Sequence, residues 1–392
     1  MKKLFVLIIG IILINAFMTG CSARNVSATN SALTSTPSDT STAVSAPGIE
    51  PTKDLIPTLS PAPTLSPSLT PSPIPTPTQV PVRIISSSIK LGDYLQMGEY
   101  YGEPILWRCV YIDENGPLIL SDRILTIKAF DGGGINKYLD GTLQTDNKIT
   151  TRATYGSNLW QTSSLRSWLN STAVAGKVAW LDGSIPIKET LREGLNCYAS
   201  EKGFLSDGNF NNIEQNVIKS VTQKSILSSY DQLKLKIGGT EPLINNGRKN
   251  YVNPIADIIQ NYDTAFYHEV TDKVFILDIK QVDKVRLNDN ILGDRYHIGM
   301  PTQKLIDNAE YKDTAYLSTG KYWYSWTRTP VCDNSISSLN ILSCGTPFQA
   351  EGVYYDSAND FYVGVRPAFY IKLSSGVFVD GKGTKEYPLV VD

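Results

Sequence analysis

Histidine is almost missing from this 392-residue chain: His268 and His297 are the only two. Two isolated imidazoles cannot build a histidine-based metal centre or a strong pH switch. Charge is also thin, at 19% of residues with a net charge of −2, and the lysines and arginines are nowhere clustered. Phosphate binding needs such clusters, so a nucleic-acid partner is excluded. There is no Cys-x-x-Cys pair and no Cys/His quartet, which excludes the structural zinc patterns. No Gly-x-Ser-x-Gly elbow is present, and Gly132-Gly133-Gly134 lacks the Gly-Lys-Ser/Thr ending of a phosphate loop. No carboxylate pair stands out for glycoside hydrolysis. The set of catalytic residues read from the sequence is therefore empty.

What is present begins at the N-terminus. Lys2 and Lys3 precede an almost continuous apolar run from Leu4 to Ala16, followed by Met18-Thr19-Gly20-Cys21. The run is shorter than the about 20 residues a comfortable span needs. The segment resembles a bacterial lipoprotein signal, with Met18 standing where leucine is commonest. The resemblance implies removal of residues 1–20 and a diacylglyceryl group on Cys21. Two acyl chains, at roughly 0.8 kcal/mol per buried CH₂, suffice for stable anchoring. The lipid bilayer is then a partner through Cys21, and the chain sits on the extracytoplasmic face of the bacterial cell membrane. An uncleaved apolar helix with a chance cysteine is the other reading.

Residues 21–82 are expected to be the lipidated cysteine plus a stalk rich in Ser, Thr and Pro. Twelve of the 22 prolines lie there and no aromatic residue does, so the stretch cannot bury enough apolar surface to offset ordering entropy. Polyproline II at about 3.1 Å per residue lets it reach on the order of 150 Å. From residue 83 to 392 aromatics become frequent and prolines sparse, which reads as one folded domain.

Within that domain Ile105, Trp107, Cys109 and Tyr111 alternate as a strand does, and Asn115-Gly116-Pro117 turns the chain into a second strand over 118–121. Ser163 or Ser164 caps a helix carrying Leu165, Trp168 and Leu169. Asn211 or Asn212 opens a longer helix with Ile213, Val217 and Val221 on one stripe. Residues 274–279 read as a buried strand, and 361–373 as another, interrupted at Gly364 and Pro367. Short strands, a few helices and long loops make an α+β domain.

The ordered segments Leu91-Gly92-Asp93-Tyr94, Gly102-Glu103-Pro104-Ile105, Ser164 to Asn170, Thr271 to Leu277, Trp323 to Arg328 and Gly364-Val365-Arg366-Pro367-Ala368 carry a resemblance. They are similar to an uncharacterised domain family on clostridial and related Gram-positive surface proteins. The stretch from about 180 to 265 matches little and is expected to be an insertion. The resemblance implies an irregular C-type-lectin-like fold, similar to the core of formylglycine-generating (sulfatase-modifying) enzymes.

Tyr322, Trp323, Tyr324, Trp326, Arg328 and Arg366 are the candidate ligand-binding residues. Aromatic faces suit sugar rings and arginines suit anions, while core packing and loop-carbonyl bonding explain the same residues. Alternation along 322–326 permits one aromatic row in and one out, which would put Tyr322, Tyr324 and Trp326 on one side and Trp323 on the other. Cys332 and Cys344 form a candidate disulfide, and a Cu(I) pair if the enzyme resemblance extended that far. Asp207-Gly208-Asn209-Phe210-Asn211-Asn212 spaces oxygens as a calcium loop does, without the later bidentate glutamate; a helix-capping turn explains it equally. No cofactor is predicted, with calcium and copper the alternatives. The leading expectation is a non-catalytic surface lipoprotein that binds a cell-wall glycan, another wall component or a surface protein. A thiol/copper oxidase and a purely architectural domain are the alternatives.

Overall fold

The computed structural model describes residues 88–143, 151–232, 266–311, 317–331, 334–342, 352–373 and 378–391. The signal, Cys21, the stalk, Cys332 and Cys344 lie outside the described residues. The chain divides into units 1–76 and 77–392, and every described residue belongs to the second. That unit is mixed α and β, with few helices and two curled sheets. Among the described residues no helix is long and apolar enough to cross a membrane.

The strands in chain order are β1 (Tyr94–Tyr100), β2 (Glu103–Asp113), β3 (Gly116–Ser121), β4 (Thr126–Ile127), β5 (Ile218–Lys219), β6 (Val221–Ile226) and β7 (Tyr267–Asp272). They continue with β8 (Ser325–Pro330), β9 (Ser337–Leu342), β10 (Gly352–Ser357), β11 (Gly364–Val365), β12 (Ala368–Ile371), β13 (Phe378–Asp380) and β14 (Leu389–Val391). One sheet runs β13-β14-β1-β2-β3-β12-β5, a second runs β10-β9-β8-β11-β4, and β6-β7 form a ribbon.

The alternation read in β2 is real: Ile105, Trp107, Cys109 and Tyr111 are all buried. A bulge between Cys109 and Tyr111 also turns Val110 inward. The hairpin turn falls on Glu114 and Asn115, one position earlier than the Asn-Gly-Pro signal suggested. Gly116, at φ +107, already pairs with Asp113.

The helix Ser164–Leu169 starts where its cap predicts, with the Ser163 hydroxyl accepting from the Arg166 N–H. It drives Leu165, Trp168 and Leu169 into the core. Asn211 caps the next helix with Glu214 in a reciprocal box, but that helix spans only Asn212–Val217. Ile213 is 45% exposed and Val221 lies in β6, so the longer stripe is corrected. Two β-branched residues at 217–218 and a sheet edge waiting for β5 outcompete helix propagation.

The strand expected over 274–279 is corrected as well. Val274, Phe275 and Ile276 are fully buried, yet a single bridge, Phe275 to Ala368, joins them to a sheet. Asp278 then caps a helix, Ile279–Arg286.

The segment Gly364-Val365-Arg366-Pro367-Ala368 is a switch between the sheets. Gly364 pairs with Ser325 of β8 and Ile127 of β4, whereas Ala368 pairs with Leu120 of β3. A Cβ on Gly364 would stand 2.4 Å from Ile124 Cγ2 and 2.6 Å from the Tyr324 carbonyl, so only glycine fits. Pro367 lacks a ladder donor, and its carbonyl accepts from the Ser121 N–H. The interruption read from sequence is thus a change of sheet within one strand-like run.

The main core gathers residues from both sheets, the helices and the loops between them. Tyr198, Phe204, Leu205, Phe210 and Ile218 belong to it, so the described part of the poorly matching 180–265 stretch is woven into the core. A smaller cluster gathers Ile124, Ile127, Leu305, Leu317 and Trp323.

Candidate functional site

The β1–β2 turn places two tyrosines at one end of the first sheet. Tyr101 and Gly102 both take positive φ, +52 and +72, the left-handed pair whose twist suits a tight hairpin. Gly102 adopts this freely, while a residue with a Cβ gives up roughly 1–2 kcal/mol. Tyr100 turns inward, its ring centroid 5.9 Å from both Trp168 and Phe204, and 4.2 Å from Tyr101. Burial pushes the Tyr100 hydroxyl well above its usual range, and the nearby Glu201 adds to the rise. The Tyr101 hydroxyl meets Thr126 Oγ1 at 3.1 Å.

Facing this tip is the helix Gln303–Asn308. A parallel bridge from Ile124 to Pro301 delivers it, and Thr302 caps it through the Leu305 N–H. Leu305 anchors it on the smaller cluster beside Trp323. Arg123 supports the connection by donating to the Pro301 and Thr319 carbonyls.

Between tip and helix lies a groove of about 530 Å³, within the usual range for small-ligand sites. Tyr100, Tyr101, Pro104, Ile105, Leu106 and Leu125 supply its apolar lining. Its rim carries opposite charges already paired: Lys304 lies 3.5 Å from Glu103, and Lys385 lies 3.0 Å from Asp122. The Gln303 amide donates to Asp307 at 2.7 Å. None of these residues is among the ligand candidates legible in the sequence. Two adjacent tyrosines directly before a glycine turn were the signal available.

None of the six ligand candidates read from sequence lines this groove. Arg328 is buried and donates to the Ile276 carbonyl, Gln281, Gln223 and Asp278, with Phe275 under its guanidinium. Arg366 is buried and donates to the carbonyls of Ser121, Asp122 and Tyr296. Both arginines hold loops together. Trp326 packs on Phe130 and donates to the Lys128 carbonyl. Trp323 donates to the Tyr362 carbonyl. With both tryptophans buried, the split of 322–326 into an inner and an outer row that alternation permits is not adopted: β8 starts only at Ser325 and all six of its residues are buried. Tyr322 and Tyr324 are half-buried, Tyr324 against Trp323 and Tyr362.

The oxygen-rich segment at 207–212 serves the helix after it. Asn211 caps that helix, and Asp207 accepts from the Gln215 amide. The Glu214 carboxylate accepts from the backbone of Gly98 and Asn211. Among the described residues no group of three His, Cys, Asp or Glu side chains is gathered for a metal ion. Cys109 and Cys197 are free thiols, and burial pushes Cys109 up to about 12, leaving it inert.

Two other clusters of displaced groups lie outside the groove. Burial raises Asp360 to about 7, helped by Asp356, whose own carboxyl accepts from Tyr362 and Asn340. Burial also raises Asp131 to about 7, although it accepts from the N–H groups of Ser157 and Ser164 and from the Ser164 hydroxyl.

A sequence-family model described as a domain of unknown function, DUF6273, matches residues 115–373, more than half of the chain. No curated protein and no solved structure matches.

Proposed function

The chain belongs to the DUF6273 family, and we propose that it is a non-catalytic, membrane-anchored surface module that binds an extracellular ligand. The observation that carries this reading is the groove at the β1–β2 turn. It is open, walled by a hairpin tip and a helix, and its lining combines an apolar floor with a polar rim. The buried acids Asp131, Asp356 and Asp360 are not among its lining residues, and two of the carboxylates that are, Glu103 and Asp122, are each paired with a lysine, which supports recognition over catalysis.

The anchoring half of the proposal rests on the sequence of residues 1–21, with Cys21 as the lipid-bearing residue and residues 22–82 as the stalk. The domain is placed beyond the extracytoplasmic face of the bacterial membrane, within reach of cell-wall glycans and surface proteins. We propose in addition that the scaffold is an irregular C-type-lectin-like domain. Few helices, two curled sheets and the switch at Gly364–Ala368 support that assignment.

The test is saturable binding of the purified full chain to cell-wall fragments, glycans and surface-protein extracts, scored with and without Tyr101→Ala. Binding that the variant loses supports the reading. A folded chain that binds nothing across these classes removes it and favours the architectural alternative.

A further inference from the structure

We infer that the groove at the β1–β2 turn is a subsite for an uncharged oligosaccharide; this rests on the ligand-binding reading above and names its site and ligand class. Three independent features lead there.

The first is the floor. The half-buried Tyr101 ring lies beside Pro104 and Leu106, backed by the buried Tyr100 ring, whose centroid is 4.2 Å away and whose plane is tilted by 48°, and by the buried Leu125. An aromatic and aliphatic floor matches the C–H faces of pyranose rings, which are apolar although the ring edges are not.

The second is the rim. The charged lining residues are Glu103, Asp122 and Asp307 against Arg123, Lys304 and Lys385, three of each sign. Glu103 and Lys304 are 3.5 Å apart, Asp122 and Lys385 3.0 Å. At either pair a charged ligand competes with the opposite charge already in place and meets the like charge beside it. A hydroxyl both donates and accepts, so it can bond a carboxylate and the ammonium beside it together. Vicinal hydroxyls are thus the chemistry that uses this rim without breaking it.

The third is local strain. Tyr101 holds φ +52 where glycine would fit without cost. Its hydroxyl is fastened to Thr126 at 3.1 Å, which fixes the ring at the groove. Strain kept at the mouth of a groove, with the ring then pinned in place, marks the side chain as the reason for the strain.

The experiment uses the full chain in detergent, titrated calorimetrically with chitotriose, maltotriose and a uronate trisaccharide. The key variant is Tyr101→Gly, which removes the ring and suits the backbone, so that folding is retained and checked by thermal unfolding. The expected result is binding of an uncharged trisaccharide, at least tenfold weaker binding of the uronate, and at least tenfold loss in Tyr101→Gly. If that variant fails to fold, Gln303→Ala on the exposed rim reads the same loss. Undiminished trisaccharide binding by the folded variant overturns the site. Equal or tighter uronate binding overturns the ligand class. Binding of a wall peptide or protein but of no saccharide overturns this inference and leaves the general binding reading standing, whereas no binding of any wall fragment or protein removes both.

Discussion

The Arg366 guanidinium lies 4.5 Å from the ring centroid of Tyr296, and its Nη1 donates to the backbone carbonyl of that same residue at 2.7 Å. The other bonds of Arg366 reach Ser121 and Asp122, so one side chain joins the end of β3 to the 295–299 loop at the point where the chain changes sheets. A planar fork stacked on an aromatic is a geometry lysine cannot copy. Arg366→Lys is therefore expected to cost about 2–3 kcal/mol, read as a lower urea midpoint at unchanged slope. A variant as stable as the parent would mean that the guanidinium is dispensable to the fold and free for a ligand.

Gly364 and Gly102 should respond differently to the same methyl group. At Gly364 a Cβ falls 2.4 Å from Ile124 and 2.6 Å from the Tyr324 carbonyl. At Gly102 it meets nothing within 4 Å, and only the φ of +72 opposes it. Gly364→Ala is expected to cost about 3 kcal/mol or more through overpacking, and Gly102→Ala about 1 kcal/mol. Similar thermal shifts for both would show that the sheet switch is looser than its contacts imply.

The sequence made local periodicity legible and little beyond it. The β2 strand was readable because Ile105, Trp107, Cys109 and Tyr111 keep period two within a single element. Ser163 announced its helix because a cap is a short-range bond. The run 213–221 failed because Ile213, Val217 and Val221 fit a helical stripe, while the decisive partner of Ile218 is Ile371, more than 150 residues away. The candidate site failed for the same reason. Nothing near Trp323 says that Leu305 and the Tyr362 carbonyl will enclose it, and nothing near Tyr101 says that Lys304 will face it. Aromatic content shows that a core or a binding surface exists; which of the two is settled by contacts distant in the chain.

Arg152 and Asp231 form a bidentate pair at 2.5 and 3.1 Å with neither side chain exposed. Arg152 also donates to the carbonyls of Ser335 and Lys137, and Asp231 accepts from Ser228 and Leu139. Removing one member strands a buried charge, so Asp231→Ala is expected to cost about 3–5 kcal/mol. The double change Arg152→Met with Asp231→Leu should cost clearly less than the two single changes summed. Additive losses in chemical denaturation would show that the pair is not coupled.

The buried titratable groups pull stability in opposite directions with pH. Burial lowers His297 to about 3, with Arg366, Arg286 and Arg295 adding to the shift, against an ordinary value of 6.5. Between those values the unfolded chain binds a proton that the folded chain refuses. The His297 contribution is therefore complete above pH 6.5 and shrinks as pH falls, by at most about 1.4 kcal/mol per unit. Asp360 runs the other way: raised from 3.8 to about 7, it holds its proton in the folded state. Its contribution is complete below pH 4 and is lost as pH rises through 7. Urea midpoints at half-unit steps from pH 4 to 7.5 separate the two. Relative to His297→Gln, the parent should lose stability on acidification; relative to Asp360→Asn, it should lose stability as the solution is made neutral. Slopes of the same sign in both comparisons would mean that one of these groups is hydrated in solution. A flat line for His297 in particular would place water beside the imidazole, next to the stacked Arg366 and Tyr296.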